Sequence, residues 1–247
     1  MKILTDYHTH TIYSKNNHGK GTVRENVEAA IEKGLKEIWI TEHGPSHIMF
    51  GIKRKNFPKI RKEIDVLKEE YKGVIDIHLG VEANVMTYKG KIDVREEELQ
   101  YLDGINVGFH YGIVNPSIKS FFYFWIVNHL ARIIKPLRPW IAEKNTDALV
   151  NVVNNNKIQI ITHPGDKVGV NIVRLAEACE RVGTALEINS SHANMNTDDI
   201  KKIMDTGVKV SVGSDAHDPS RVGEFEDAID RIIKTKLPPE RIINKKE

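Results

Sequence analysis

Residues 2–10 read KILTDYHTH, a short apolar run that ends in two histidines, His8 and His10, two positions apart. Six further β-patterned runs follow along the chain, and helix-patterned stretches separate them. They are EIWIT (37–41), VIDIHLGVE (74–82), GINVGF (104–109), IQIIT (158–162), ALEIN (185–189) and VKVSVGS (208–214). Strands that alternate with helices indicate a parallel sheet, and the sequence predicts one domain, residues 1–247, built as a (β/α) barrel.

Helix signals lie between these runs. In TVRENVEAAIEKG (22–34), Thr22 and Glu25 have the spacing of a capping box, and Gly34 predicts the end of the helix. The stretches NTDALVNVVNNN (145–156) and NTDDIKKIMDTG (196–207) have the same arrangement, which makes Thr146 and Thr197 the predicted N-caps of two further helices.

Composition sets limits on the class of protein. The 247 residues carry a formal net charge of +2, with 40% hydrophobic and 28% charged residues, as in ordinary globular proteins. So small a charge gives no global reason to expect nucleic acid or an anionic membrane as partner. The single cysteine, Cys179, excludes an internal disulfide framework and is predicted to be a small buried residue. The N-terminus lacks the features of a signal peptide, so we expect a cytoplasmic protein.

The segment 117–141, SIKSFFYFWIVNHLARIIKPLRPWI, differs from the rest because an aromatic-rich run is followed by interleaved Lys, Arg and Pro. Its uninterrupted apolar run, Phe121 to Val127, is far shorter than the ~20 residues that span a bilayer, so no transmembrane segment is predicted. Three roles stay open for this insert: a lid over a site, a patch that joins copies into a homo-oligomer, and, as the least favoured, an interfacial membrane helix.

Potential metal ligands follow six of the seven predicted strands. The carboxyl ends of barrel strands converge on one face, so side chains far apart in sequence meet there. A lone histidine at a strand end is more often a hydrogen-bonded structural residue, but six coincidences at one face reverse that expectation. The predicted ligands are His8, His10, His18, His43, Glu82, His110, His163, Asp215 and His217.

Nine nitrogen and oxygen ligands without a thiolate exceed what one metal ion uses. They suit two or three divalent transition metal ions, namely Zn, Mn or Fe, with a carboxylate as bridge. Such ions lower the pKa of bound water to about 7 and hold the oxygens of an in-line displacement. The chemistry that fits best is hydrolysis of a phosphate ester.

The ordered motifs HTH (8–10), TEHG (41–44), GVEAN (80–84), GFH (108–110), THPG (162–165) and GSDAH (213–217) resemble the polymerase and histidinol phosphatase (PHP) superfamily. Within it, the chain is most similar to the stand-alone bacterial phosphatase branch. The resemblance extends over nearly the whole chain, including GEFEDA (223–228) and LPPERIIN (237–244). It implies a distorted (β/α)7 TIM-like barrel with a trinuclear metal centre.

The family pattern also implies how the ligands are shared. It would place His8, His10, Glu82 and Asp215 on the first metal, His110 and His163 with the bridging Glu82 on the second, and His18, His43 and His217 on the third. A hydroxide that bridges the metals would be the nucleophile, and Glu82, Asp215 and His217 are the residues we predict to be catalytic.

Residues outside the ligand set supply candidates for substrate binding. Each of the basic ones is by default a solvated surface charge. The candidates are Asn189, His192, Arg221, Lys20 and Arg54. We expect His47 and His129 at the surface or in a lid, and Asp6 either orients a ligand or is a solvated strand residue.

The sequence therefore predicts a metal-dependent phosphomonoesterase, similar to histidinol phosphatases, that acts on a small phosphorylated substrate. One alternative is a phosphodiesterase or nuclease of PHP type, but the near-neutral charge and the lack of a further nucleic-acid domain argue against a nucleic-acid partner. The other alternative is a non-catalytic, metal-binding regulatory module, and the complete ligand set argues against that.

Overall fold

The structure is a computed structural model that describes residues 1–245; Lys246 and Glu247, the last two residues of the predicted domain, lie outside the described residues. At its centre is a seven-stranded parallel sheet whose strands neighbour one another in chain order. The strands are β1 Thr5–Thr9, β2 Glu37–His43, β3 Asp76–Asn84, β4 Gly104–Gly108, β5 Ile160–Ile161, β6 Ala185–Asn189 and β7 Val210–Gly213. The predicted (β/α)7 barrel is confirmed.

The sheet closes where β7 returns to β1. The main-chain nitrogen of His10 donates to the carbonyl oxygen of Ala216 at 2.8 Å, and the nitrogen of Ala216 donates to the carbonyl of His8 at 3.3 Å. The pairing is short, so the barrel is nearly rather than fully closed. Because all strands run in the same direction, their carboxyl ends form a single ring at one face of the molecule.

Side chains reinforce this seam. The amide of Asn244 donates to the carbonyl oxygens of Thr5 at 2.8 Å and Val212 at 2.7 Å. Asp6 is fully buried and accepts a 2.5 Å hydrogen bond from the hydroxyl of Ser214. Burial raises the pKa of Asp6 to about 6. The solvated position is wrong, and the orienting role stays a prediction: Asp6 accepts from the main-chain nitrogen of His8 at 3.3 Å and holds the turn after β7.

Helices connect successive strands on the outside of the barrel. The α-helices are α1 Val23–Glu32, α2 Phe57–Glu70, α3 Glu96–Leu99, α4 Ile118–Phe121, α5 Asn128–Ile133, α6 Leu137–Asn155, α7 Ile172–Val182, α8 Thr197–Lys202 and α9 Glu226–Thr235. A π-helical turn lies between α4 and α5, at Phe122–Val127. Short 3-10 turns occur at Lys15–Asn17, Arg54–Asn56, Pro219–Arg221 and Pro239–Arg241. Helix α2 shows how they pack, because its buried residues are Phe57, Ile60, Ile64 and Leu67, which lie on one helical face.

The predicted helix ends are correct in part. The capping box of Thr22 and Glu25 is present at the start of α1. Thr146 is not an N-cap, because the preceding insert is itself helical and α6 already begins at Leu137; its hydroxyl donates to the carbonyl of Ala142 at 2.8 Å inside that helix. At α8 the cap is Asn196, one residue before the predicted Thr197.

The insert 117–141 forms a continuous helical stretch from Ile118 to Ile133, followed by a turn and the start of α6. Its inward side is buried at positions that include Ser120, Phe124 and Val127. Within residues 1–245, no helix is long and apolar enough to cross a membrane. A π-helical turn inside a helix is uncommon and is frequently found next to functional sites.

Candidate metal centre

The carboxyl ends of the strands bring eight of the nine predicted ligands together. Four overlapping groups each hold three side chains whose ligand atoms all lie within 4.8 Å of one another. The groups are His8, His10 and Glu82; His8, His163 and Asp215; His43, Glu82 and His110; and His10, His43 and His217. Positions spread from strand β1 to the end of strand β7 therefore meet in one cluster, as the barrel topology predicts.

Most ligand atoms of this cluster are buried without hydrogen-bond partners among the described residues. They include Nε2 of His8, His10, His43, His110 and His217, together with Oε2 of Glu82 and Oδ1 of Asp215. A single buried and unpaired polar atom costs about 1–3 kcal/mol, so this many in one place is a strong destabilising feature of the bare chain. Imidazole and carboxylate lone pairs that converge in this way fit divalent transition metal ions.

The opposite nitrogens of two of these rings are held by the protein. Nδ1 of His8 donates to Oε1 of Glu187 at 2.8 Å, and Nδ1 of His110 donates to Oδ1 of Asn84 at 2.9 Å. A proton fixed on Nδ1 leaves the lone pair of Nε2 directed at the cluster. Glu187 and Asn84 therefore orient the rings that the cluster needs.

Glu82 lies at the centre of the cluster. Its Oε1 is 2.9 Å from Nε2 of His163, 3.2 Å from Nε2 of His110 and 3.5 Å from Nε2 of His8. Its Oε2 is 2.7 Å from Nδ1 of His43, in a geometry that forms no hydrogen bond. A carboxylate surrounded by imidazoles on both oxygens has the position of a bridging ligand.

For Glu82 and His43, the local electrostatics favour the protonation states that bind metals. Burial acts to raise the pKa of Glu82, but the imidazoles of His110, His8 and His43 hold that pKa well below its usual range. Burial also lowers the pKa of His43 to about 4, although Glu82 acts in the opposite direction. An ionised carboxylate and a neutral imidazole are the forms that coordinate a divalent ion.

The backbone makes room for the cluster. A Cβ atom at Gly108 would lie 2.3 Å from Cε1 of His110 and 2.6 Å from Oε1 of Glu82, so only glycine fits there. His163 and Asp215 have positive φ values of 29° and 55°. Left-handed backbone is strained for residues other than glycine, and such residues concentrate at functional sites.

His18 lies beside the four groups but belongs to none of them. Its ring stacks on Phe50 with centroids 3.7 Å apart, and its centroid is 4.3 Å from that of His217 and 5.2 Å from that of His43. Burial and the imidazole of His217 lower the pKa of His18 to about 4. It is thus close to its two predicted partners, and its role as a ligand stays a prediction.

A cavity of about 410 Å³ opens directly over the cluster. Members of the ligand set form one side of it. The other side is formed by Met49 and Phe50 from the loop after β2, by Tyr111 after β4, and by Trp125 from the π-helical turn, with Lys167 as a cation at the wall. Such a cavity can hold a small molecule with one end at the ligands and the other against aromatic side chains.

The predicted surface position of His47 is wrong. Its side chain is only 6% exposed, lines the cavity, and accepts a hydrogen bond on Nδ1 from the main-chain nitrogen of Phe50 at 3.0 Å. The loop after β2 pairs here with the loop after β4, because His47 bridges Ile113 and the nitrogen of Ile48 donates to the carbonyl of Gly112 at 2.8 Å. A pairing between two loops leaves no periodic signal in the sequence. His129, by contrast, is exposed on the helical insert.

Two substrate candidates lie at the carboxyl end of strand β6, Asn189 as its last residue and His192 in the loop after it. Nδ1 of His192 lies 3.4 Å from Oδ1 of Asp166, and its Nε2 lies 3.3 Å from Oδ2 of Asp215. Hydrogen bonds to these two carboxylates raise the pKa of His192 to about 9, so a cation lines the cavity here. Asn189 is buried, and its amide donates to Oε2 of Glu187 at 2.9 Å, so this side chain holds neighbouring residues in place.

The three basic candidates do not line the cavity. The guanidinium of Arg54 donates to both carboxylate oxygens of Glu98, at 2.5 and 2.6 Å. Lys20 is 71% exposed and Arg221 contacts a neighbouring glutamate. A role for them in substrate binding stays a prediction. Lys167 does line the cavity, but no sequence pattern around it indicates a substrate-binding residue.

Glu187 was the ligand-orienting residue that the strand pattern could have revealed. It precedes Asn189 by two positions on β6, and alternate residues of a strand point to the same side. Asn84 has the same relation to Glu82 on β3. Glu187 and Asn84 each lie two positions from a residue that was already predicted to belong to the site, Asn189 on β6 and Glu82 on β3.

Comparison with known proteins gives one family. The PHP domain model matches residues 6–191. A probable phosphatase of Caldanaerobacter subterraneus subsp. tengcongensis is 32% identical over 258 residues, which cover 99% of this chain and 88% of that protein. A probable phosphatase of Escherichia coli O1:K1 is 28% identical, and the match covers 97% of this chain and 89% of the relative.

Among solved structures, a histidinol phosphate phosphatase from Lactococcus lactis, complexed with zinc, L-histidinol and phosphate, superposes with a TM-score of 0.64. The match covers 96% of this chain and 95% of the other at 20% sequence identity, and it shows that the two proteins share the barrel fold. The family model covers the segment that supplies every ligand of the cluster except Asp215 and His217. The chain therefore belongs to the PHP domain family.

Proposed function

We propose that this protein is a metal-dependent phosphatase that hydrolyses the phosphomonoester of a small metabolite. The observation that carries the proposal is the convergence of buried, unpartnered imidazole nitrogens and carboxylate oxygens beneath a cavity of about 410 Å³. The names of the relatives, and the zinc, L-histidinol and phosphate of the Lactococcus lactis structure, support it. Histidinol phosphate is one candidate substrate.

The ligand set fits two or three ions of Zn, Mn or Fe, held by the residues of the four groups, with His18 as the proposed additional ligand. Bound ions would supply an activated water, shared between them at a pKa near 7, and would offset the charge of the phosphate. Glu82, Asp215 and His217 are the residues we propose to be catalytic, through their hold on this centre.

The remaining residues of the cavity have separate tasks in this proposal. His192 lies between Asp166 and Asp215 at the edge of the cluster, where its N–H groups can be redirected to a phosphate oxygen. Phe50 and Trp125 lie on the opposite wall and would exclude water from the leaving group. The phosphate end of the substrate would therefore face the ligands and the alcohol end would face the aromatic wall.

A substrate panel tests the proposal. Protein stripped with a chelator is reloaded with Mn²⁺, Zn²⁺ or, without oxygen, Fe²⁺, and is offered histidinol phosphate, a sugar phosphate, p-nitrophenyl phosphate, bis-p-nitrophenyl phosphate and single-stranded DNA. We expect metal-dependent release of phosphate from at least one monoester. Degradation of the DNA or the diester with no monoester turnover would favour the nuclease alternative. Tightly bound metal without turnover of any of these substrates would favour the metal-binding regulatory module.

Location and assembly belong to the same proposal. We propose that the protein acts in the cytoplasm, on the small phosphorylated metabolites found there. Association of copies through residues 117–141 stays a prediction, and the mass of the purified protein by light scattering over a range of concentrations tests it.

A further inference from the structure

The helical stretch from Ile118 to Ile133 turns an apolar stripe toward solvent. The exposed fractions are 90% for Ile118, 49% for Phe122, 41% for Ile126, 41% for Leu130 and 82% for Ile133. Steps of four, four, four and three residues keep these side chains on one helical face, which at 1.5 Å per residue is ~24 Å long. Surface helices of globular proteins normally present a polar face outward, whereas this helix is apolar on its outward side as well as on its buried side.

Within the segment that carries the stripe, the formal charges all have one sign. From residue 104 to residue 142 the chain contains no Asp or Glu. The four cations of this range are exposed, and none of them forms a salt bridge within the described residues. They are Lys119, Arg132, Lys135 and Arg138. The whole chain has a formal charge of only +2, so this segment carries a local excess of positive charge.

Further apolar residues extend the face at both ends. Phe121 is 46% exposed beside the stripe, and Ile134 in the turn that follows it and Trp140 in the first turn of α6 are each 45% exposed. Large aromatic side chains next to Lys and Arg are typical of the boundary between lipid headgroups and acyl chains. Apolar contact and cationic charge thus occur together on one surface.

From these observations we propose that the face formed by residues 118–140 seats this protein on an anionic phospholipid bilayer. The stripe from Ile118 to Ile133 enters the headgroup region, parallel to the membrane plane, and the four cations contact lipid phosphates. The protein lies on the membrane and does not span it, in keeping with the short apolar run.

A second copy of the chain is a poorer occupant of this face. In a two-fold contact the same patch lies on both sides, so the four cations of one copy would face those of the other. The segment itself offers no carboxylate to neutralise them. An anionic bilayer matches the apolar stripe and the charge together.

The same helix also borders the active-site cavity. Trp125, on the π-helical turn, lines that cavity while Phe122 and Ile126 on either side of it face outward. Arg132 lies 5.1 Å from the ring of Tyr111, another residue of the cavity wall. A membrane-bound molecule would therefore hold its cavity mouth beside the lipid surface. The binding itself does not depend on the proposed phosphatase activity.

Vesicle flotation tests the proposal with the full-length protein. One set of vesicles is phosphatidylcholine alone, and the other is phosphatidylcholine mixed with phosphatidylglycerol. We expect the protein to float with the anionic vesicles, to stay behind with the neutral ones, and to be released as salt is raised. Equal binding to both kinds of vesicle, or binding to neither, would overturn the proposal.

Three variants locate the contact. The apolar variant I118S/F122S/I133S and the charge variant K119E/K135E should each lower partitioning onto anionic vesicles by about tenfold or more. The matched control K59E/K62E/V66S changes two exposed lysines and an exposed valine on α2, and should bind as the parent does. If the control weakened binding as much as the other two, the proposed face would be wrong.

Self-association is the competing outcome, and light scattering on the same variants distinguishes it. A concentration-dependent dimer that the apolar variant abolishes, in protein that does not float with vesicles, would assign this face to a second copy and refute the bilayer proposal. Far-UV circular dichroism and metal content, expected to be unchanged in every variant, show that lost binding does not result from misfolding.

Discussion

The cluster at the strand ends and the helix from Ile118 to Ile133 border the same cavity, yet they violate opposite rules of protein packing. In the cluster, polar atoms are buried without partners. On the helix, large apolar side chains are exposed to water. Each arrangement is unfavourable for the chain alone. The comparison teaches that each unfavourable region lacks a binding partner: metal ions would pair with the polar atoms of the cluster, and another surface would cover the apolar side chains of the helix.

The cluster should be the region that tolerates change least. Glu82→Gln keeps the shape of the central side chain but removes the charge that two metal sites would share. We expect the bound metal to fall and phosphate release to drop by ~100-fold or more, measured by elemental analysis and by turnover. The control Glu97→Gln alters an exposed side chain whose one polar partner within residues 1–245 is Arg95, and it should leave both unchanged. Full metal content in the Glu82 variant would remove this carboxylate from the centre.

Gly108→Ala tests whether the cluster is limited by space. The added methyl group would overlap His110 and Glu82, so we expect metal affinity to fall by ~10- to 100-fold, measured by competition with a chelator. Gly169→Ala is the matched control, because its Cβ would meet only Cβ of Ala142 at an ordinary 3.6 Å. Unchanged metal affinity in the Gly108 variant would mean that the backbone at this position shifts enough to accommodate the methyl group, and that space does not limit the cluster.

Glu187→Gln probes the support of the cluster rather than the cluster itself. The amide can still accept the hydrogen bond from Nδ1 of His8, but with less strength than a carboxylate. A loss of ~10-fold in metal affinity is expected, measured by the same competition, with the exposed Glu177→Gln as control. A loss as large as that of Glu82→Gln would make Glu187 a ligand instead.

Trp125→Ala should have the smallest effect, because it changes the cavity wall on the side of the helical insert. Metal content should match that of the parent, while KM for a monoester with an apolar alcohol rises by ~3- to 10-fold and kcat changes less. Steady-state kinetics with elemental analysis measure this. Loss of metal on this change would show that the two regions are not independent.

Much of the fold and of the cluster follows from the sequence alone. Alternating strand and helix patterns predict a parallel barrel. In such a barrel the carboxyl ends of all strands lie at one face, so residues that follow different strands are close in space. That is why His8, Glu82 and Asp215 could be assigned to one site although they are far apart in sequence. The proximity of these residues depends only on the topology of the barrel.

The surroundings of Arg54 and His47 were less predictable for a physical reason. Arg54 forms an ion pair with Glu98, 44 residues away, and nothing in either local sequence marks that partner. The burial of His47 depends on pairing between two irregular loops. Loops have no repeating pattern of side chains, so the environment of their residues is decided by tertiary contacts that the sequence does not display.

The closure of the barrel by its first and last strands has a consequence for biosynthesis. Asp6 and Ser214 bond across 208 residues, and Nε2 of His8 reaches to 3.5 Å from Asp215 at the same seam. At ~5–20 residues per second, a ribosome takes about 10–40 s to add that length of chain. His8 and His10 thus emerge long before Asp215 exists. Metal retention by a nascent or truncated chain would then report whether translation had reached the last strand.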